Sequence, residues 1–238
     1  MVLFAIFGEL GTGKTLSAVS LTFRNWIKKR TKVYSNIPLY KIPYHLIDSL
    51  DKLDMMRDGV VLADEMWTLL NARRSTSKTN RLVSSILLKS RKRDLVYFFT
   101  SQLLDLIDKT VRRIIDFSAY PVLVGGEPPI VCKLYVFKGT RQDPRALFRT
   151  LYYKTPLVFQ MYDTRYEVVD IVENENDGKW KIIFQEDPNK EPIYFETWEE
   201  ADRYAYNWWL EKLREKDDYI EEFPWDDILE SLLPLVRR

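Results

Sequence analysis

The sequence predicts an α/β fold with a mainly parallel central sheet, an antiparallel extension and a small α+β region at its C-terminal end. Three short apolar runs support the parallel sheet, at residues 2–7, 60–63 and 95–99. Polar residues suited to ligand chemistry follow each run directly. Continuous apolar runs are typical of parallel strands that are covered on both faces, and ligands bind at the carboxyl ends of such strands.

The first apolar run leads into a phosphate-binding motif. Residues 8–15 (GELGTGKT) fit the pattern G-x-x-x-x-G-K-[ST]. Such a loop wraps phosphates with backbone N–H groups, and its glycines let the backbone come close. Apolar side chains then recur at helical spacing, at Leu16, Val19, Phe23 and Trp26. They predict a helix from about Lys14, whose N-terminal end favours the same anion.

We therefore predict that ATP and Mg²⁺ are the cofactors. The expected nucleotide-binding residues are Gly8, Glu9, Leu10, Gly11, Thr12, Gly13, Lys14, Thr15 and Leu16. Lys14 is expected to reach the β- and γ-phosphates as part of the catalytic set, and Thr15 to hold Mg²⁺. The alternative is a chance match in a glycine-containing turn.

Two acidic residues close the second apolar run. Asp64 and Glu65 follow Val60 to Ala63 and lie about 50 residues after the phosphate loop. Asp64 is predicted to hold the metal ion, and Glu65 to activate the attacking water as a general base. The alternative is that the pair forms an acidic N-cap for a following helix.

The third apolar run ends in Thr100, Ser101 and Gln102. We expect this strand to lie between the other two, with Gln102 sensing the γ-phosphate. A glutamine side chain both donates and accepts hydrogen bonds, so it can orient a water molecule. The alternative is a strand end that is merely capped by polar residues.

Arginines near this strand are candidates for a residue that acts on a neighbouring subunit. Residues 108–116 predict a short amphipathic helix or turn that carries Arg112 and Arg113, and Arg91 is a third candidate. Oligomeric NTPases often supply an arginine in trans to the γ-phosphate. A salt bridge to Asp108 or Asp116 is the alternative for Arg112 and Arg113.

Other segments are assigned from local patterns. We predict a second strand at residues 32–35, followed by an extended segment with two prolines, and a short polar helix at 46–57. Further along, we predict a basic loop at 71–81, a helix at 82–92, antiparallel β-runs at 120–124 and 130–137, and a loop with a short helix at 141–154.

Domain bounds are predicted at residues 1–168 for the ATPase core and 169–238 for an acidic appendage. Residues 180–184 and 192–195 predict a hairpin. Thr197 and Glu200 form a capping box that opens a helix to about Lys216. For this appendage we favour packing between subunits or docking of a partner. The tail from residue 217 is expected to dock on a neighbour or a viral coat protein, or to fold back on the basic core.

Charge is distributed unevenly along the chain. Residues 1–115 carry 20 Lys and Arg against 10 Asp and Glu, whereas residues 160–238 carry 10 against 22. A basic half next to an acidic half suggests an anionic partner besides ATP, and nucleic acid is the obvious one. The alternative is that the basic half docks the acidic half.

Composition excludes several classes of protein. The single cysteine, Cys132, rules out an internal disulfide framework and fits a reducing compartment. The lone histidine, His45, disfavours a His-based metal site or catalytic triad. No apolar run approaches the length of a membrane span, and no signal peptide is indicated. We expect a cytoplasmic location, in the host if the protein is viral, with association with the virion as an alternative.

Taken together, these motifs resemble those of the HerA–FtsK superfamily of DNA-pumping ATPases, and within it the zonula occludens toxin (Zot)-like group and related viral packaging ATPases. The similar stretches are residues 8–15, 34–38, 60–65 with Arg73 downstream, 91–102, 107–112 and 162–164. The resemblance covers about residues 1–170. Members that assemble phage filaments normally carry a membrane-spanning helix after the ATPase domain. The sequence shows no such apolar run, which favours a packaging motor here.

The resemblance implies a RecA-like P-loop NTPase core, of the type with an additional strand and a catalytic glutamate. It also implies a homo-oligomeric ring and ATP-driven movement of double-stranded DNA, most readily the packaging of a viral genome into its capsid. A capsid or other virion protein is a further expected partner of the acidic C-terminal region. The alternatives are assembly or secretion of a filamentous phage, a plasmid relative, and a nucleotide-gated DNA-binding switch with slow hydrolysis.

Overall fold

The computed structural model describes residues 2–47, 52, 55–65, 90–126, 128–140, 147–164, 179–184 and 191–214. Its strands are β1 (Val2–Phe7), β2 (Lys32–Ser35), β3 (His45–Leu46), β4 (Gly59–Ala63), β5 (Leu95–Ser101), β6 (Phe117–Val124), β7 (Val131–Lys138), β8 (Leu147–Lys154), β9 (Trp180–Ile182) and β10 (Ile193–Phe195). Its helices are α1 (Lys14–Lys29), α2 (Lys109–Arg112), α3 (Thr155–Phe159) and α4 (Trp198–Arg214), with 3-10 turns at Ser90–Arg93 and Leu104–Leu106.

Within these ranges, eight strands form one sheet in the order β3-β2-β4-β5-β1-β6-β7-β8, and β9 pairs with β10 in a separate hairpin. The pairs β3–β2, β2–β4, β4–β5, β5–β1 and β1–β6 are parallel. The pairs β6–β7 and β7–β8 are antiparallel. The predicted fold class, a mainly parallel sheet with an antiparallel extension, is confirmed. β5 lies between β1 and β4, as its polar end predicted.

The register brings the ends of three strands to one edge of the sheet. Phe7, the last residue of β1, pairs with Ser101. Ala63, the last residue of β4, pairs with Phe99. Because the three strands run parallel, the phosphate loop, the Asp64–Glu65 pair and the end of β5 all emerge at this edge.

The two faces of the sheet are covered by different segments. On one face α1 contributes Leu16, Val19 and Trp26 to the larger buried cluster. On the other face Ile107 and Val111, from the segment between β5 and β6, pack against the inner strands. The helical spacing of these residues predicted that contact. All residues from Leu16 to Arg24 are buried, so α1 is covered on more sides than the apolar spacing predicted.

The hairpin and α4 pack on the α1 side of the sheet. The Trp209 ring lies 5.0 Å from the Phe23 ring of α1. Asp202 of α4 accepts hydrogen bonds from Trp26 Nε1 at 2.9 Å and from Arg30 Nε at 2.7 Å. Trp198, Ala201 and Ala205 belong to the same buried cluster as α1. The described part of the predicted appendage thus shares its hydrophobic core with α1 and the large sheet.

One hydrogen bond of α4 gives a test of this packing. Trp209 Nε1 donates to the Lys41 carbonyl at 2.7 Å in a buried position. Changing Trp209 to phenylalanine is expected to lower the free energy of unfolding by about 1–3 kcal/mol, because the buried carbonyl loses its donor. Urea denaturation measures the loss. Trp208→Phe, at a half-buried position of the same helix, is the control; equal losses in both variants would contradict the assigned role of this bond.

Two local predictions were wrong. Residues 147–154 form β8 where a loop and a short helix were predicted. Leu151 and Tyr153 are buried and their neighbours Tyr152 and Lys154 are exposed, so the segment alternates like a strand on an edge. Leu46, predicted to begin a polar helix, instead belongs to β3, where its neighbour His45 pairs with Tyr34.

Several other predictions fall outside the described residues. These are half of the helix at 46–57, the loop at 71–81, most of the helix at 82–92, the domain boundary at 168 and the tail from 217. The hairpin and the helix after Thr197 were predicted correctly, and Glu200 N donates to Thr197 Oγ1 at 3.4 Å. Within the described ranges, the helices are too short or too polar to cross a bilayer.

Candidate nucleotide-binding and hydrolysis site

The phosphate loop joins β1 to α1 in a backbone conformation that requires glycine. Gly13 caps α1 with φ +94°, and a Cβ atom there would lie 2.9 Å from Leu123 Cδ2. A Cβ atom on Gly8 would lie 2.6 Å from Thr12 Oγ1. Because the first N–H groups of a helix lack intrahelical acceptors, this turn presents donors at the positive end of α1. The geometry suits an anionic group such as phosphate.

Lys14 lies inside this loop with a partly buried ammonium group. Its side chain is 7% exposed, and Nζ donates to the Glu9 carbonyl at 2.8 Å. Burial lowers the pKa of Lys14, while the nearby carboxylates of Asp64 and Glu65 act in the opposite direction. A cation held in this way stabilises negative charge at the loop more strongly than an exposed lysine does, because less water screens it.

Thr15 and Asp64, the two predicted metal ligands, meet at the edge of the sheet. Thr15 Oγ1 lies 3.0 Å from both carboxylate oxygens of Asp64. Thr100 Oγ1, at the end of β5, donates to Asp64 Oδ1 at 2.7 Å. Burial raises the pKa of the Asp64 carboxyl, and the hydrogen bonds from Thr100 and Thr15 counter part of that shift. The predicted pair is therefore brought together by a third residue that the sequence did not single out.

The turn after β4 is fixed by two neighbouring strands. The Glu65 backbone has φ +48°, and its N–H donates to Thr100 Oγ1 at 2.8 Å. The Asn36 side chain, just after β2, accepts from Asp64 N at 2.7 Å and donates to Asp64 O at 2.8 Å. Asn36 lies in one of the stretches that carry the family resemblance, but its contacts with Asp64 depend on the β2–β4 register.

A second buried polar cluster lies directly behind the phosphate loop. Ser17 Oγ donates to the Gly13 carbonyl at 2.8 Å, and it is hydrogen-bonded to the Tyr153 hydroxyl of β8. Cys132 Sγ of β7 lies 3.8 Å from Ser17 Oγ. Burial raises the pKa of both the Cys132 thiol and the Tyr153 hydroxyl. The cluster ties the antiparallel strands to the start of α1.

Comparison with known proteins finds similarity in solved structures. No protein-family model and no curated protein matches the chain. The structure is similar to the N-terminal domain of zonular occludens toxin from Neisseria meningitidis, with 22% sequence identity and a TM-score of 0.49, covering 68% of this chain and 100% of that one.

The fold is also similar to the genome packaging NTPase B204 from Sulfolobus turreted icosahedral virus 2, solved in complex with AMPPCP and with ATP-gammaS. The sequence identity is 11% in both cases, the TM-scores are 0.42 and 0.41, and the alignments cover 64% of this chain and 97% of the other. The toxin domain and the packaging NTPase belong to the two groups that the sequence motifs resemble.

The structure separates the remaining candidates by their position. Gln102 is half-buried and follows β5 directly, beside the start of the phosphate loop. Arg91 lies in the 3-10 turn before β5, at the opposite edge of the sheet. Arg112 and Arg113 shortly precede Asp116, whose carboxylate accepts from Leu3 N at that opposite edge. Arg91 therefore lies away from the phosphate loop of the same chain.

Arg112 forms an ion pair, but its partner differs from the two that the sequence suggested. Arg112 Nη1 lies 2.8 Å from Asp105 Oδ1. Asp108 instead caps α2 by accepting from Thr110 N, and Asp116 accepts from Leu3 N. The Asp105 side chain is 91% exposed, and ion pairs of this kind contribute about 0–1 kcal/mol. Little energy is needed to release Arg112 toward another partner.

Tyr162 is a further residue near the site. Its side chain is buried, and its backbone bridges to Leu39. Burial raises the pKa of the Tyr162 hydroxyl, and the charge of Asp64 contributes to the shift. The motif at 162–164, which the sequence placed at the end of the core, therefore lies within electrostatic reach of the metal-ligand candidate.

Changing Thr100 to valine tests the hydrogen bonds that hold Asp64 and Glu65. Valine keeps the shape but removes the hydroxyl, which donates to Asp64 Oδ1 and accepts from Glu65 N. We expect kcat for ATP hydrolysis to fall by about ten- to a hundredfold, because both acids lose their positioning partner. Steady-state kinetics with an intact circular dichroism spectrum measures the effect.

Thr22→Val is the matched control for this variant. Thr22 is a fully buried threonine in α1 whose hydroxyl has no hydrogen-bond partner in the described part of the chain. Its replacement is expected to leave kcat within about twofold, since no positioning contact is lost. If the two valine variants hydrolyse ATP equally fast, Thr100 has no positioning role.

Proposed function

We propose that this protein hydrolyses ATP with Mg²⁺ and uses the reaction to move double-stranded DNA, most readily a viral genome being packaged. The observation that carries the hydrolytic part is the meeting of Thr15 and Asp64 at 3.0 Å beside the phosphate loop. A binding loop alone supports only nucleotide binding. The Asp64 carboxylate, fixed beside the loop and followed in the chain by Glu65, supports hydrolysis.

The residues present fit a magnesium ion. Thr15 offers a hydroxyl and Asp64 a carboxylate, and oxygen ligands of this kind are those that Mg²⁺ prefers. When bound with the nucleotide, the ion offsets negative charge on the phosphate oxygens. Within the described ranges there is no cluster of three or more His, Cys, Asp or Glu side chains that holds a metal by itself.

The protein groups then have separate roles in hydrolysis. The backbone N–H groups of the loop and Lys14 hold the phosphates. Glu65 accepts a proton from the attacking water, with its backbone fixed by Thr100. Gln102, at the end of β5, orients that water or the γ-phosphate. Each of these assignments follows from the motif and from the position of the residue at the same edge of the sheet.

DNA as the substrate of the motor is supported by charge and by the motif resemblance. The first 115 residues carry twice as many basic as acidic side chains, and a basic surface attracts the phosphate backbone of DNA. We further propose a homo-oligomeric ring, with a core at residues 1–168. Contact between the acidic C-terminal region and a capsid protein stays a prediction.

The test is the dependence of ATP hydrolysis on DNA. A motor is expected to hydrolyse ATP several-fold faster with long duplex DNA than with none, and short duplexes are expected to stimulate less. Hydrolysis that ignores DNA of every length would contradict the packaging proposal while leaving ATP hydrolysis in place. Slow hydrolysis combined with ATP-dependent DNA binding would favour the nucleotide-gated switch.

The ring proposal predicts that Arg112 or Arg113 acts on the neighbouring subunit. We expect an Arg112→Ala or Arg113→Ala chain and a Lys14→Ala chain each to be inactive alone. An equal mixture is expected to recover about a quarter of wild-type kcat, because one site in four combines an intact Lys14 with an intact neighbouring arginine. The measurement is ATP hydrolysis after mixing and reassembly.

A mixture of Lys14→Ala with Glu65→Gln is the control for that experiment. Both residues serve the site of their own subunit, so mixed rings are expected to contain no complete site. If neither arginine variant recovers activity when mixed with Lys14→Ala, the proposed role in trans is wrong.

A further inference from the structure

The outer face of the antiparallel extension carries an open group of aromatic, aliphatic and basic side chains. We define this surface, the aromatic sheet face, by Val122, Val124, Lys133, Tyr135, Tyr152 and Lys154. The register places Val122 opposite Lys133, and Lys133 opposite Tyr152, in one row across three strands. The alternate residues Leu123, Cys132 and Tyr153 point to the α1 side, where Cys132 and Tyr153 are buried.

This face is exposed where the rest of the sheet is covered. Val122 is 46% exposed, Val124 41% and Tyr152 48%. At the end nearer the sheet centre, Tyr120 packs between Phe7 and Phe137, with ring centroids 5.9 and 5.8 Å away. The aromatic sheet face therefore begins where the packed rings end, and it continues toward the phosphate-loop edge of the sheet.

The charged side chains of strands β6, β7 and β8 are all basic. Lys133 and Lys154 lie on the aromatic sheet face, whereas the register places Arg149 with Val136 and Lys138 with Phe117 on the α1 side. The Lys133 ammonium lies 5.7 Å from the centre of the Tyr152 ring. A cation beside the exposed ring of Tyr152, with the half-buried ring of Tyr135 diagonal to it, matches a ligand that has both flat apolar faces and negative charge.

We propose that the aromatic sheet face binds single-stranded nucleic acid, with bases stacked on Tyr152 and Tyr135 and phosphates next to Lys133 and Lys154. Tyr135 pairs with Thr150, two residues from Tyr152 on the same face. Diagonal neighbours of this kind lie about 7–8 Å apart, which leaves room for two bases of an unstacked strand. A duplex hides its base faces, so it cannot use this platform.

A second copy of the chain fits the face less well. A two-fold contact would bring Lys133 and Lys154 of one subunit against the same positive surface of the other, and like charges facing each other are destabilising. Nucleic acid provides the opposite charge. This inference goes beyond ATP hydrolysis, since stacking and charge neutralisation require no nucleotide turnover.

Fluorescence anisotropy with a labelled oligothymidine of about 20 nucleotides, without ATP, tests the proposal. We expect Tyr152→Ala to weaken binding about tenfold and Tyr152→Phe to restore it, because the ring rather than the hydroxyl stacks on a base. Lys133→Gln is expected to weaken binding and to reduce the slope of log K against log salt by about 0.7. An oligouridine of equal length shows whether RNA is bound as well as DNA.

The control is Arg203→Glu, an exposed position on α4 at the other face of the sheet, which is expected to bind like the wild type. A Lys14→Ala chain is expected to lose ATP hydrolysis but keep the oligonucleotide, which separates this inference from the proposed function. Unchanged binding by both Tyr152→Ala and Lys133→Gln would overturn it. So would an equal loss of affinity for a duplex of the same length in these two variants, or an effect of the variants confined to the oligomeric state in light scattering.

Discussion

Replacing Glu65 with glutamine is expected to lower kcat by about 10²- to 10⁴-fold while ATP still binds, because a carboxamide cannot accept the proton of the attacking water. The substitution keeps the size of the side chain and the backbone N–H that donates to Thr100 Oγ1 at 2.8 Å. The φ of +48° at this position is also preserved. The loss is therefore one of proton transfer and not of local structure.

Single-turnover hydrolysis measures the loss of the chemical step, and titration with a fluorescent ATP analogue measures ATP binding. Glu199→Gln, at an exposed position in the first turn of α4, provides the same chemical change away from the site and is expected to have no effect on either. A Glu65→Gln chain that turns over within about threefold of the wild type would mean that another group is the base.

The features that sequence predicted correctly are those encoded locally. The turn between β1 and α1 depends on glycines within eight consecutive residues, and the strands before it and before Asp64 are continuous apolar runs. The position of β5 between β1 and β4 followed from the polar residues at its end. Such signals stand next to each other in the chain, so they are readable without knowing which strands pair.

The positioning residues of the site could not be predicted because they depend on register. Thr100 reaches Asp64 Oδ1 only because β4 and β5 are aligned with Ala63 opposite Phe99. At this strand end the sequence indicates Gln102, because its amide both donates and accepts hydrogen bonds. Asn36 and Ser17 are ordinary polar residues in the sequence, and only their partners give them a role.

The antiparallel extension and the C-terminal region show the same limit at a larger scale. β8 was missed because only Leu151 and Tyr153 of its residues are buried, and the basic and polar residues Arg149, Thr150 and Lys154 around them obscure the alternation. The helix α4 was predicted from its cap and its apolar spacing. Its packing against α1 was not predicted, since the contact between Trp209 and Phe23 joins residues far apart in the chain.

Changing Lys14 to alanine is expected to weaken ATP binding by at least about 10²-fold and to abolish turnover. The ammonium group is partly buried within the loop, where Asp64 and Glu65 lie near enough to oppose the burial-induced lowering of its pKa. Removing it takes one positive charge away from the triphosphate in a poorly screened position, and that charge no longer offsets the two carboxylates nearby. Loss of a single well-placed donor in such a site typically lowers kcat by about 10²–10³-fold.

Thermal unfolding with and without ATP checks this prediction independently of catalysis. A ligand at about 100 times its Kd stabilises the folded protein by about 2.7 kcal/mol, so the wild type is expected to melt at a higher temperature with ATP, whereas Lys14→Ala is not. Without ATP, the variant is expected to be at least as stable as the wild type, because it no longer buries an ammonium group. Lys28→Ala, in the last turn of α1, is the control and is expected to keep the full ATP shift. A Lys14→Ala chain that ATP stabilises as strongly as the wild type would show that the phosphates bind elsewhere, and the assignment of residues 8–16 would then be wrong.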